Sequence, residues 1–105
     1  MKSRILLILS SVVLGFSVHA QGVIAGKVVD GKTGETLTGA TVAVENSAYG
    51  AQTDMDGNFT IPKVPKGKHN VVIRYVGYKE KKHENVEVKD GSVTNLYETL
   101  NEDAV

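Results

Sequence analysis

From residue 24 onward the apolar side chains of this chain recur at every second position, and no segment of ten or more residues carries a helical stripe. Ile24, Gly26 and Val28 alternate with Ala25, Lys27 and Val29. Val42 and Val44 alternate with Thr41, Ala43 and Glu45, and Phe59 and Ile61 with Asn58 and Thr60. Val71, Ile73 and Tyr75 continue the pattern, followed by Val86 with Val88 and by Leu96 with Leu100. A period of two is that of a strand with one buried face. The runs are separated by Asp30-Gly31-Lys32-Thr33-Gly34, Asn46 to Gly50, Asp54-Met55-Asp56-Gly57, Pro65-Lys66-Gly67 and Asp90-Gly91, all rich in residues that accept tight turns or positive φ. Six or seven short strands with turns every eight to twelve residues predict an all-β fold, a small two-sheet sandwich.

Residues 1–20 stand apart from that pattern. Lys2 and Arg4 give a short basic start, Ile5 to Val18 is largely apolar, and Val18-His19-Ala20 places small residues where a signal peptidase reads, just before Gln21. About 14 apolar residues rise only ~21 Å as a helix, short of the ~30 Å hydrocarbon core, so a cleaved secretory signal is the expectation rather than a membrane span. A mature domain over 21–100 and a short tail over 101–105 then follow. Removing the signal takes away two cations and leaves the mature chain mildly acidic.

Across all 105 residues 12 Lys and Arg balance 12 Asp and Glu, which provides no long-range positive field for nucleic acid or an anionic membrane surface. There is no cysteine, hence no disulfide, thiolate metal site or thiol nucleophile. An exported domain without disulfides points to the bacterial periplasm.

No catalytic constellation emerges. His69 and His83 lack the spacing that holds a catalytic zinc, Ser47 and Ser92 sit in turns rather than in a nucleophile elbow, and the carboxylates are scattered over turns. The expectation is a non-enzyme without a cofactor. Asp54, Asp56 and Asn58 place oxygen ligands at alternate positions, as a calcium loop begins, but Phe59 and Pro65 stand where such a loop needs its glycine and its bidentate glutamate. Two readings fit this segment: a weak calcium site, and a hairpin turn between strands ending near Thr53 and starting at Asn58, with Gly57 at positive φ.

Lys79-Glu80-Lys81-Lys82-His83-Glu84 is a dense charged run. It reads either as a solvated edge strand whose lysines discourage edge pairing or as a docking surface, with Tyr78, Lys79, Lys81 and Lys82 as its candidate interaction residues. Glu98 interrupts the inward row of Leu96 and Leu100, which places the last strand at a sheet edge or in reach of water.

Four ordered motifs carry a family resemblance. Ile24-x-Gly26-x-Val28-x-Asp30, Thr33-Gly34-Glu35-x-Leu37-x-Gly39-Ala40-Thr41-Val42-x-Val44, Thr53-Asp54-x-Asp56-Gly57-Asn58-Phe59-x-Ile61 and Tyr75-Val76-Gly77-Tyr78 resemble the carboxypeptidase regulatory-like domain, a transthyretin-like (prealbumin-like) β-sandwich. The pattern covers nearly all of Gly22 to Leu100. It implies that Gly26 and Gly39 mark close strand approaches or turns, that Ala40, Val42, Val44, Phe59 and Ile61 supply the core, and that Gly77 bends the chain so that Tyr75 and Tyr78 cover one end. Thr38 replaces a proline usual in the family, and Glu98 an apolar residue.

A signal peptide followed directly by such a domain is similar to the N-terminal extension of TonB-dependent outer-membrane receptors of the starch-utilisation type. The resemblance therefore implies a non-catalytic periplasmic interaction domain. Its partners would be envelope proteins or the rest of such a receptor, of which this chain, ending at Val105 without plug or barrel, would be a fragment or a free-standing copy. Two alternatives are a carbohydrate-binding module making weak glycan contact through Tyr49, Tyr78 and Tyr97, and a structural domain supporting a carboxypeptidase-like enzyme.

Overall fold

The computed structural model describes residues 20–103. The expected signal peptide falls almost wholly outside them. Seven strands follow in chain order: β1 (Gln21–Asp30), β2 (Thr41–Val44), β3 (Gly50–Gln52), β4 (Asn58–Pro65), β5 (Gly67–Arg74), β6 (Lys81–Val88) and β7 (Val93–Leu100). They form a three-stranded sheet in the order β4-β1-β7 and a four-stranded sheet in the order β3-β2-β5-β6. No helix among the described residues is long and apolar enough to cross a membrane.

The alternation decides which face each residue takes. Ile24 and Val28 of β1, Phe59, Ile61 and Val64 of β4, and Leu96 and Leu100 of β7 point inward from one sheet. Val42 and Val44 of β2, Val71 and Ile73 of β5, and Val86 and Val88 of β6 meet them from the other. Each such aliphatic side chain contributes ~1.5–3 kcal/mol when fully buried. Leu37 and Ala40, from the loop between β1 and β2, close the core at one end. That loop is fastened by Thr53, whose hydroxyl donates to the Leu37 carbonyl and accepts from the Ala40 amide at 2.8 Å.

The first and last strands pair with each other. β1 and β7 run parallel from Val23 opposite Val93 to Asp30 opposite Leu100. Gly26 permits this: a Cβ there would stand 1.8 Å from the Leu96 carbonyl oxygen. Gly39 answers to the other explanation, a turn at φ 83° with open space around it.

Three sequence expectations meet the topology here, and one needs correction. The strand expected to end near Thr53 is β3, which begins at Gly50, the last residue of the segment read as a turn, and pairs with Thr41–Ala43 of β2. The Asp54–Gly57 turn does not close a hairpin, since β3 and β4 belong to different sheets and the turn carries the chain across the sandwich. Glu98 does not leave the inward row. It points into the sandwich between Leu96 and Leu100 and is 2% exposed, and β7 is an edge strand as expected.

Candidate interaction surface

The end of the molecule near Tyr78 is built around Asp30. As the last residue of β1, Asp30 turns its carboxylate back onto the following turn, where Oδ1 accepts from the amides of Lys32 at 2.7 Å and Thr33 at 3.0 Å. Its Oδ2 accepts from the Tyr78 hydroxyl at 2.6 Å. The phenol and the two amides hold the Asp30 carboxyl down at about 2, and the same bond pushes the Tyr78 phenol up to about 12. Gly77, at φ 83°, turns the chain so that Tyr75 and Tyr78 pack 5.5 Å apart against the core. Tyr78 is thus a half-buried structural tie, and Val76 at the same corner is 93% exposed.

The four interaction candidates do not form one patch. Lys82 faces outward from the four-stranded sheet and meets Glu45 Oε2 at 2.7 Å. That contact raises the Lys82 ammonium and, together with the Asn70 side-chain amide, lowers the Glu45 carboxyl. Lys81 faces the other way, 3.1 Å from Glu98 Oε2, and donates to the Thr99 carbonyl at 3.3 Å. His83 Nδ1 donates to the other oxygen of Glu98. Strand alternation explains this split: neighbouring cations 81 and 82 must leave opposite faces of β6. Arg74 and Glu80 pair with each other. Lys79 is exposed and joins no ion pair among the described residues, while its amide donates to the Asn101 carbonyl at 2.9 Å. With Asp103 donating to Gly77, that bond stitches the start of the expected tail onto the Tyr78 corner.

The Asp54 segment folds as a self-satisfied turn. Asp54 Oδ1 accepts from the amides of Asp56 and Asn58, each at 2.9 Å, and the Thr36 and Thr38 hydroxyls donate to the Met55 carbonyl. A cation would have to compete for the oxygen that shapes the loop. Among the described residues no group of three or more His, Asp or Glu side chains is placed to hold a metal ion. The three tyrosines suggested for glycan contact are dispersed. Tyr97 lies on the outer face of the three-stranded sheet beside Lys27, Asn58 and Asn95. Tyr49 borders a separate opening with Lys63 and Lys66, and Tyr78 is held at Asp30.

Sequence reading missed two partnerships, Glu98 with Lys81 and His83, and Asp30 with Tyr78. The only local signal of the second was Asp30 at the head of a turn, because its partner lies 48 residues away.

Comparison with known proteins sets this geometry in a family. The chain is 31% identical over 74 residues to the TonB-dependent receptor SusC of Bacteroides thetaiotaomicron, covering 70% of this chain and 7% of the receptor. Among solved structures it superposes on a chain of a type II cohesin–X-dockerin complex from Acetivibrio cellulolyticus with a TM-score of 0.64 and 24% identity, over 73% of this chain and 52% of that one. A putative carbohydrate binding protein from Bacteroides uniformis aligns with a TM-score of 0.59 and 14% identity, over 77% of this chain and 41% of that one. At these identities the structural matches speak for the sandwich fold alone. The family model of the CarboxypepD_reg-like domain matches residues 24–105, from the first core isoleucine of β1 through β7, and the chain belongs to that family.

Proposed function

We propose that this domain is a non-catalytic docking module of the cell envelope, of the kind carried by a TonB-dependent uptake receptor, and that it works by contact on the periplasmic side of the outer membrane. The observation that carries the reading is the 31% identity to the TonB-dependent receptor SusC, confined to a segment amounting to 7% of that receptor. Such a segment is a domain's worth of a much longer machine, so its role is that of one part touching others. The polar pairs agree: Asp30 with Tyr78, Glu45 with Lys82 and Glu98 with Lys81 and His83 tie turns and strands to one another instead of converging on one cleft. Lys79 and Val76 remain outward on the corner that leads to Asn101–Asp103.

The test is site-directed photo-crosslinking in cells that make the full chain with a photoreactive phenylalanine analogue at Lys79. The expected outcome is an adduct with an envelope protein in the membrane fraction. Retention of the chain in the cytoplasm, or absence of an adduct from Lys79 in correctly exported protein, would remove this corner as the docking surface.

A further inference from the structure

A sandwich with open sheets presents four edge strands, and unpaired edges invite association unless something blocks them. Three of the four edges here are blocked. β3 is only three residues long. β4 carries Pro62 and Pro65, with Lys63 between them at φ 58°. β6 carries Lys81, Lys82, His83 and Glu84 and is distorted at Asn85, φ 56°. β7 has no such device: Val93-Thr94-Asn95-Leu96-Tyr97-Glu98-Thr99-Leu100 is eight regular residues without proline, and its one charged side chain points inward.

The register shows which backbone groups are open. Val23 donates to Ser92 and Gly31 to Leu100, and in the parallel ladder between them the even-numbered residues of β7 face β1. The odd-numbered ones therefore face away. At the far end Lys81 occupies the Thr99 carbonyl and Lys79 the Asn101 carbonyl. The open stretch is Val93, Asn95 and Tyr97. Val93 is 57% and Tyr97 67% exposed, on the outer face of the same sheet.

This stretch is complementary to itself. We propose that β7 pairs with β7 of a second copy of this chain, antiparallel about a twofold axis at Asn95, joining two three-stranded sheets into one of six strands. In that register Asn95 faces its own symmetry mate, and Val93 of each copy lies opposite Tyr97 of the other. The two exposed large apolar side chains of the strand thereby cover each other, an aromatic with a β-branched partner. No like charges meet along β7, because Glu98 is turned inward onto Lys81 and His83. The pairing stops where Lys81 and Lys79 already occupy the edge. β6, with its lysines and its distorted backbone at Asn85, stays outside the joined sheet. An isologous contact of this kind closes as a dimer and does not propagate. The proposal is independent of the docking role assigned to the Tyr78 corner.

The absence of cysteine gives a clean test. A hydrogen-bonded antiparallel pair holds its Cα atoms ~5.5 Å apart, within disulfide reach. Asn95→Cys in the full-length purified protein should therefore give a disulfide-linked dimer on mild oxidation. Thr60→Cys, on the outer face of β4 at the opposite edge, should stay monomeric. The unsubstituted protein should dimerise with rising concentration in sedimentation equilibrium. Asn95→Pro should abolish this while retaining the native circular dichroism, since the Asn95 amide lies outside the ladder with β1. Equal cross-linking at 95 and 60, or a monomer across the whole concentration series, would overturn the proposal. So would a monomeric protein whose β7 edge captures a different polypeptide. Should Asn95→Pro fail to fold, the cysteine pair still decides.

Discussion

Asp30 condenses three demands into one side chain: it ends a strand, shapes the next turn and anchors a corner 48 residues away. An unfolded aspartate takes up its proton near ~3.9, whereas the folded carboxyl holds out to about 2, so its contribution to stability is complete above pH ~4 and is lost as pH falls from there towards 2. Tyr78 works in the opposite direction. Its folded phenol is raised to about 12 against ~10 when unfolded, so its contribution is complete below pH ~10 and is lost between 10 and 12. Tyr78→Phe should thus lower the urea midpoint at neutral pH and flatten both limbs of the stability profile, with a smaller difference from the native protein at pH 2 than at pH 7. Profiles that run parallel at all pH values would mean that the backbone amides of Lys32 and Thr33 alone set the acidity of Asp30. The turn after Asp30 was legible from Asp-Gly and Thr33, because turn chemistry is local. Its bond to Tyr78 was not, because nothing in an alternating pattern records which distant loop folds over a strand end. Glu98 was legible only in part for a related reason. Alternation places it inward with Leu96 and Leu100 while its charge argues for water, and only the placement of Lys81 and His83 on the neighbouring edge makes an inward glutamate tolerable.

Strands were legible wherever they were long enough to alternate, and the limits of that reading are physical. β3 contributes three residues and no large side chain, so its end near Thr53 was legible from the turn after it but its pairing with β2 was not. The Asp54 turn was recognisable by its own hydrogen bonds, but the same bonds serve a hairpin and a crossing between sheets, and the choice is made by packing. The glycines show a similar division. Gly26 and Gly39 both looked constrained, and the structure assigns them different constraints. At Gly26 an added Cβ would strike the Leu96 carbonyl at 1.8 Å and approach Phe59 Cζ at 3.0 Å, with backbone that cannot yield cheaply. At Gly39 an added Cβ meets open space, and the cost is that of φ 83° alone. Gly26→Ala should therefore destabilise by ~3 kcal/mol or more, as overpacking that forces two strands apart does, and Gly39→Ala by ~1–2 kcal/mol. Urea unfolding of both variants checks the order. A milder effect at Gly26 than at Gly39 would mean that β1 and β7 separate easily.

For the molecule as a whole, closure depends on its two most distant strands. β1 lies between β4 and β7, so the three-stranded sheet is incomplete until the last strand of the chain arrives beside the first. Until then Ile24 and Val28 lack the cover of Leu96 and Leu100, and the apolar floor of the sandwich stays wet. Non-local pairing of this kind makes folding slow, in the millisecond-to-second range typical of all-β sandwiches, since the loop entropy is lost before any contact repays it. Two consequences are measurable. Ending the chain at Asp90 should abolish the cooperative unfolding transition, because it strips one whole side from β1. Ending it at Leu100 should leave the transition in place at a lower midpoint, because only the bonds from Asn101 and Asp103 to the Tyr78 corner are lost. If the chain ending at Asp90 still unfolds cooperatively, then β1, β4 and the four-stranded sheet form a core without β7. In that case β7 is an exchangeable strand rather than a keystone, and its open edge would be the first part of the molecule to leave.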